Sequence, residues 1–247
     1  MKQQTLLCLV ILALTTACSS TKSIQRAMDK RSHSLGYIMD TRPVKIKSPI
    51  TVRIDSVTYN PALLPESTTV VRNEGMYIPI VLVHYWKAQN TCTLGQSGML
   101  EPLPAFVKSS LIDEINRSGQ INADSLSETE YTLDLSIDAF EAKGPYKSEG
   151  FFYFLFVVYG FNHYDIAGPA MTQLSVSYQL KQNGQPVFSG YHNAQRETQA
   201  LNKPNVTSSK LQENYAASMV EATSFNIKYI NQLIVNDLNN FFRENWK

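Results

Sequence analysis

Tyr131-Thr132-Leu133-Asp134-Leu135-Ser136-Ile137-Asp138-Ala139 places an apolar residue at every second position and a polar one between each pair. Neighbouring side chains of a strand point to opposite faces. The stretch therefore predicts a strand that turns Tyr131, Leu133, Leu135, Ile137 and Ala139 to a core and Asp134 and Asp138 to water. The same period recurs on both sides of it. Upstream, Ile50, Val52 and Ile54 alternate with Thr51, Arg53 and Asp55, and the folded domain is read as starting there, at residue 49. Downstream, Leu174, Val176, Tyr178 and Leu180 lead into Asn183-Gly184, after which residues 186–191 return. Asn-Gly accepts the positive φ angles of a type I′ turn, so this pair predicts a hairpin. Residues 70–72 and 77–86 read as further strands around Glu74-Gly75, set off from the first strand by Asn60-Pro61 and Pro65.

Two segments carry a helical period instead. Residues 101–118 open on Pro102 and Pro104, repeat Val107, Leu111 and Ile115 every four residues, and close on Arg117 before Gly119. Proline in a first turn forfeits no needed donor, a cation suits the carboxyl end, and glycine accepts the left-handed conformation just beyond it. The last forty or so residues space Ala216, Val220, Thr223, Ile227, Ile230, Ile234, Leu238 and Phe241 three or four apart, a run long enough to admit a break near residues 223–226. Together these elements predict one α+β domain over residues 49–247: an antiparallel sheet with one middle helix and a long C-terminal helix packed on it.

Residues 151–161 fit neither period. Phe151-Phe152-Tyr153-Phe154-Leu155-Phe156-Val157-Val158-Tyr159-Gly160-Phe161 has no polar face and no charge. A strand buried on both sides reads this way, and so does one that lies in lipid or against a membrane partner. Left bare, it is an aggregation hazard, so something must cover it. Phe151, Phe152, Phe154, Phe156 and Tyr159 are accordingly the candidate residues for contact with a partner or with lipid.

The chain begins with Lys2, an apolar run over residues 5–14, and then Thr15-Thr16-Ala17-Cys18, the charged, apolar and small-residue order of an export signal. About 20 apolar residues are needed to span a bilayer, and this run has about half that number. The leader resembles the lipobox of bacterial lipoproteins, with Thr15 standing where leucine is usual. That resemblance implies removal of residues 1–17 as a signal peptide. It also implies a diacylglycerol thioether on Cys18 and an acyl chain such as palmitate on its amine. Several acyl chains hold stably where one holds marginally. Ser19, directly after the cysteine, resembles the pattern sorted to the outer membrane, which implies a lipid-anchored protein facing the periplasm. Residues 18–48 are polar and basic, with Lys22, Arg26, Lys30 and Arg31 among them, and read as a flexible tether.

With 22 basic and 21 acidic side chains and a net charge of +1, no field of one sign recruits nucleic acid. Of the three cysteines, Cys8 lies in the leader and Cys18 takes lipid. Cys92 is left alone, a small apolar residue rather than half of an internal disulfide. Gly95-Gln96-Ser97-Gly98 lacks the second glycine of a serine-hydrolase elbow, because Met99 stands there. His84 with Cys92 and His163 with Asp165 are pairs without a third partner, and Asp134, Asp138 and Glu141 read as solvated strand positions. Asn116-Arg117-Ser118 and Asn205-Val206-Thr207 match a glycosylation acceptor, of little weight in a bacterial chain. No catalytic residue, metal ligand or cofactor is assigned apart from the covalent lipid.

The order of tether, strand, helix, antiparallel strands and final helix is similar in layout to auxiliary lipoproteins of outer-membrane lipid-transport and assembly systems. It implies a noncatalytic component of an envelope transport or assembly complex, with an envelope protein or a second copy as partner. Two other readings stay open: an oligomeric channel or secretion lipoprotein with residues 151–161 against the membrane, and an envelope hydrolase.

Overall fold

In chain order the elements are helix α1 (Thr21–Met28), strands β1 (Thr51–Tyr59), β2 (Thr69–Ile80) and β3 (Val83–Thr93), helix α2 (Leu103–Ser118), strands β4 (Asn122–Asp124), β5 (Tyr131–Leu155), β6 (Val158–Ala167), β7 (Met171–Gln182) and β8 (Gln185–Glu197), and helix α3 (Ser208–Asn245). The computed structural model describes residues 20–37, 50–80, 83–118, 120–126, 128–155, 158–202 and 206–245. The fold is α+β, a mixed sheet with helices on one face.

The 25-residue β5 is the spine, about 80 Å long at 3.3 Å per residue. Its first half pairs with β1 on one side and β7 on the other, while its second half pairs with β3 and β6. Strand β4 extends the sheet beyond β1, β8 beyond β7, and β2 beyond β3. The expected all-antiparallel sheet is corrected at one strand, because β1 runs parallel to both β4 and β5. Helix α2 packs on β1 and β4 and carries the chain back along the sheet, so the strands that follow re-enter in β1's direction.

Leu133, Leu135 and Ile137 of β5 are buried beneath the helices, as the alternation requires. The β5–β7 register then shifts between Ile137 and Ala139. Such a bulge moves the inward set by one position, so Phe140, Ala142 and Tyr146 take over the core face and Ala139 leaves it. Asn183 and Gly184 both have positive φ, 49° and 81°, in the β7–β8 turn.

Helix α3 lies antiparallel to β5. Its first turn meets β6 through Ser208 and Asp165, and Phe242 near its end packs edge-on against Tyr131, with ring centroids 5.0 Å apart. Its 38 residues span about 57 Å. The helix runs unbroken through residues 223–226, where the length of the run admitted a break. Thr223 and Ser224 donate back to the Met219 and Val220 carbonyls, and Asn226 donates sideways to Thr172. At Gly144 a Cβ would come within 2.4 Å of the Tyr215 hydroxyl, so glycine there lets α3 seat on the sheet.

The flexible tether is also corrected wherever the chain is described. Ser20 caps α1 by accepting from the Ser23 N–H, and Ile24 and Met28 are fully buried beside α3. Asp29 accepts from the Ser97 hydroxyl at 2.7 Å, and Tyr37 donates to Glu114. Residues 20–37 thus belong to the folded body. Three apolar residues on an eight-residue helix bury enough surface only because α3 and the edge of β2 already stand there to receive them.

Candidate functional site

Helix α3 starts beside Asp165, which lies opposite Ser148 of β5, and the sheet runs on past that level. The overhang is a four-stranded antiparallel tongue in the order β2, β3, β5, β6. Between Glu74 and Lys87, and again between Glu149 and Asp165, no Asp, Glu, Lys or Arg occurs. The uncharged part of β5 runs from Gly150 to Leu155, about 20 Å.

Cross-strand register sets the two faces of the tongue. Tyr77, Trp86, Gly150 and His163 form one row; Pro79, His84, Phe152 and Phe161 form the next row on the same face, and Phe154 opposite Tyr159 follows it. This is the face that carries the helices lower down. On the opposite face lie Ile78, Tyr85, Phe151 and Asn162, then Val83, Tyr153 and Gly160. Beyond the helices, nothing among the described residues covers either face. Tyr159 is 73% exposed, Phe161 63%, Phe154 46% and Phe151 38%, while Phe152 is half-buried. Phe156 lies outside the described residues. Residues 151–161, read from the sequence as one strand, are instead the end of β5 and the start of β6, paired as Phe154 with Tyr159 and Leu155 with Val158. Glu74-Gly75, likewise, does not divide two strands. Strand β2 runs through it with a register shift between Arg72 and Glu74.

The tongue holds its shape through its own rings. Trp86 lies across Gly150, where a Cβ would come within 2.2 Å of the indole, and its ring centroid is 6.0 Å from Phe161 and 5.8 Å from His163. Tyr77 stacks on His84 at 5.9 Å and its hydroxyl meets Nδ1 at 2.7 Å. Phe151 stacks on Tyr153 at 6.3 Å.

At the root, His163 Nε2 lies 3.0 Å from Asp165 and 3.2 Å from the Ser148 hydroxyl. The bond to Asp165 raises the imidazole pKa above its ordinary value against the opposing effect of burial. Burial alone would raise the Asp165 carboxyl, yet hydrogen bonds from His163 and Ser208 hold it below its ordinary value. Serine, histidine and aspartate in contact invite comparison with a hydrolytic triad. Such a relay needs serine on one ring nitrogen and the carboxylate on the other. Here both contacts fall on Nε2, and Ser148 is buried. The arrangement joins β5, β6 and the start of α3.

The other sequence candidates are scattered. His84 and Cys92 stand eight residues apart on β3, about 26 Å, and burial pushes the Cys92 thiol up to about 12. Ser97 is engaged with Asp29. Asp134 pairs with Lys181 at 2.6 Å on the polar outer face, and Asn116 bonds both backbone groups of Ala123. Among the described residues no three His, Cys, Asp or Glu side chains gather as a metal site would require. A shallow concavity of about 710 Å³ on the outer face is lined by Ser56, Thr58, Ser136, Ser177 and Gln179, and one of about 270 Å³ beside α3 by His33, Glu221, Ser224, Phe225 and Lys228. Sequence reasoning missed β2 and β3 as the other half of the tongue, although residues 75–86 are as free of charge as residues 150–164.

No family model and no curated protein matches the chain. Among solved structures, it is similar to a Xanthomonas campestris protein under the family model DUF330, at 11% identity and a TM-score of 0.45, over 85% of this chain and 98% of that one. It is also similar to a minor lipoprotein from Acinetobacter baumannii, at 13% identity and a TM-score of 0.31, over 56% of this chain and 87% of that one.

Proposed function

We propose that this chain is a noncatalytic lipoprotein of the bacterial cell envelope, cut before Cys18 and held by acyl chains at the periplasmic face of the outer membrane. It serves as a component of a transport or assembly complex, and its working element is the tongue. One observation carries the reading: among the described residues the charge-free tongue exposes apolar side chains on both faces, Phe154, Tyr159 and Phe161 on one and Ile78 and Phe151 on the other. A contiguous apolar patch on a folded domain marks a membrane or protein contact. No described helix is long and apolar enough to cross a membrane. Mild crosslinking and affinity recovery from whole membranes, comparing the native chain with Cys18→Ala, tests this. Envelope transport or assembly proteins are expected with the native chain, and release from the membrane with the variant. An unaltered membrane fraction for Cys18→Ala sinks the anchor. Polar substitution of Phe154 and Phe156 that leaves both folding and partner recovery intact removes the tongue as the contact.

A second reading, an oligomeric channel, draws on the outer edges of β2 and β6 in the tongue, each of which has one strand neighbour among the described residues. A further strand can add to such edges. A water-filled barrel alternates apolar-out with polar-in, and the tongue is apolar on both faces. Extraction in mild detergent as a large ring would favour this channel over the docking component.

A further inference from the structure

We propose that the tongue lies in the headgroup region of the leaflet that anchors Cys18, with its helix-side face against the lipid. The inference deepens the reading above and rests on acylation of Cys18 for the position of the membrane. Ser20 caps α1 and lines one recess with Ser208, Ser209 and Gln212 of α3's first turns. Arg31 and Lys210 both pair with Glu213, at 3.3 and 3.1 Å, and fasten the end of α1 to the same part of α3. Ser20 stands two positions after Cys18, a reach of about 7 Å. The acylated residue is therefore leashed to the root of the tongue, on the face of the sheet that carries the helices. A body held this closely cannot lift a tongue of about 20 Å away from the bilayer as a body on a thirty-residue tether could.

Charge and composition agree with that position. Helix α1 spends its apolar face, Ile24, Ala27 and Met28, on the core and turns Lys22 and Arg26 outward, with Lys30 just beyond, beside the anchor point. Exposed cations there suit anionic headgroups. The helix-side face of the tongue exposes the kind of residue that favours the interface, with Tyr77 and Tyr159 around its apolar centre. Its free β2 and β6 edges set the depth. Unpaired backbone groups do not rest in dry hydrocarbon, so the sheet goes no deeper than water and headgroup oxygens reach. Pro79 on the β2 edge has no N–H to offer a further strand, which disfavours closing that edge with a second copy.

The test uses the full mature chain in vesicles of phosphatidylethanolamine and phosphatidylglycerol, with a polarity-sensitive fluorophore on a single introduced cysteine. Cys92 is fully buried, and acylation occupies Cys18. Tyr159→Cys and Phe161→Cys probe the helix-side face, Tyr164→Cys the opposite face, and Leu126→Cys, 87% exposed in the β4–β5 connection, serves as the distant control. The expected result is a blue shift at positions 159 and 161, with emission lost more to lipids spin-labelled near the headgroup than to lipids labelled near the chain end. Position 164 should respond less, and position 126 not at all. Stronger quenching from the chain ends, equal quenching on both faces, or silence at 159 and 161 each overturns the placement. The mass of the Cys18 peptide reads the anchor separately. A chain without acyl groups sinks the lipoprotein reading, while the same probes on that chain with Cys18→Ala still decide the tongue.

Discussion

The two halves of β5 share one backbone and opposite fates. In the first half, apolar and polar residues alternate, and Leu133, Leu135 and Ile137 vanish beneath α2 and α3. In the second, from Gly150 onward, the sequence is more apolar, yet Phe151 and Phe154 stay exposed. Hydrophobicity does not distinguish the halves, since both have it in excess. What differs is the helix layer, which ends at Ser208, beside Asp165, while the sheet continues. A soluble domain normally ends its strands where its cover ends. This exposed apolar overhang is the observation on which the proposed contact with lipid or a partner rests.

The sharpest way to break this comparison is to truncate one side chain in each half. Leu133→Ala is expected to cost about 2 to 5 kcal/mol, because a fully buried leucine leaves a cavity. Phe161→Ala in the tongue should cost under about 1 kcal/mol, since most of that ring already faces solvent. Urea unfolding of both variants measures the pair. Equal losses would make the tongue an ordinary part of the core.

Ile24→Ala comes next and sharpens where the body begins. If residues 20–37 belong to it, the variant loses about 2 kcal/mol, the low end for a buried isoleucine on a short peripheral helix. A tether would lose nothing in the same urea titration.

These two variants also separate what was legible in the chain from what was not. Residues 131–137, β1, α2, α3 and the Asn183-Gly184 hairpin each carry a period or turn residue that acts locally, and each stands where that signal puts it. Helix α1 carries only three apolar residues among lysines and arginines, and its stability comes from α3, nearly two hundred residues away. The turn between β5 and β6 falls among phenylalanine and valine, with no Gly, Pro, Asn or Asp between Phe154 and Tyr159 to announce it. The parallel β1 follows from the path of α2, which no single segment encodes. The candidate contact residues were legible as a charge-free run; that β2 and β3 complete them depends on strand pairing across sixty residues.

The joint between the halves predicts a smaller, pH-dependent effect. Asp165→Asn removes the carboxylate that holds His163 and meets Ser208, and should cost about 1 to 2 kcal/mol. The sign of each contribution follows from its shift. His163 is raised, so its stabilisation is complete below about pH 6.5 and is lost as pH rises through the folded value. Asp165 is lowered, so its stabilisation is present above about pH 4 and is lost as pH falls through the folded value. The gap between native and variant should therefore be widest between about pH 4 and 6.5 and narrow on either side, as read from urea midpoints across that range. A gap that stays level would leave His163 and Asp165 contributing no more than shape.

The smallest expected change in stability belongs to the most exposed ring of the tongue. Tyr159→Ser alters a side chain that is 73% exposed, and its unfolding free energy should stay within about 0.5 kcal/mol of native. Self-association of the unacylated chain should nevertheless fall, because an uncharged, β-rich segment with a free edge drives aggregation in proportion to its bare apolar surface. Sedimentation of Cys18→Ala with and without Tyr159→Ser reads this directly. A lower sedimentation coefficient at unchanged stability would locate the adhesive surface on the tongue rather than on the body. Association that persists unchanged would place it elsewhere and would leave the tongue's exposure without a physical consequence in the isolated chain.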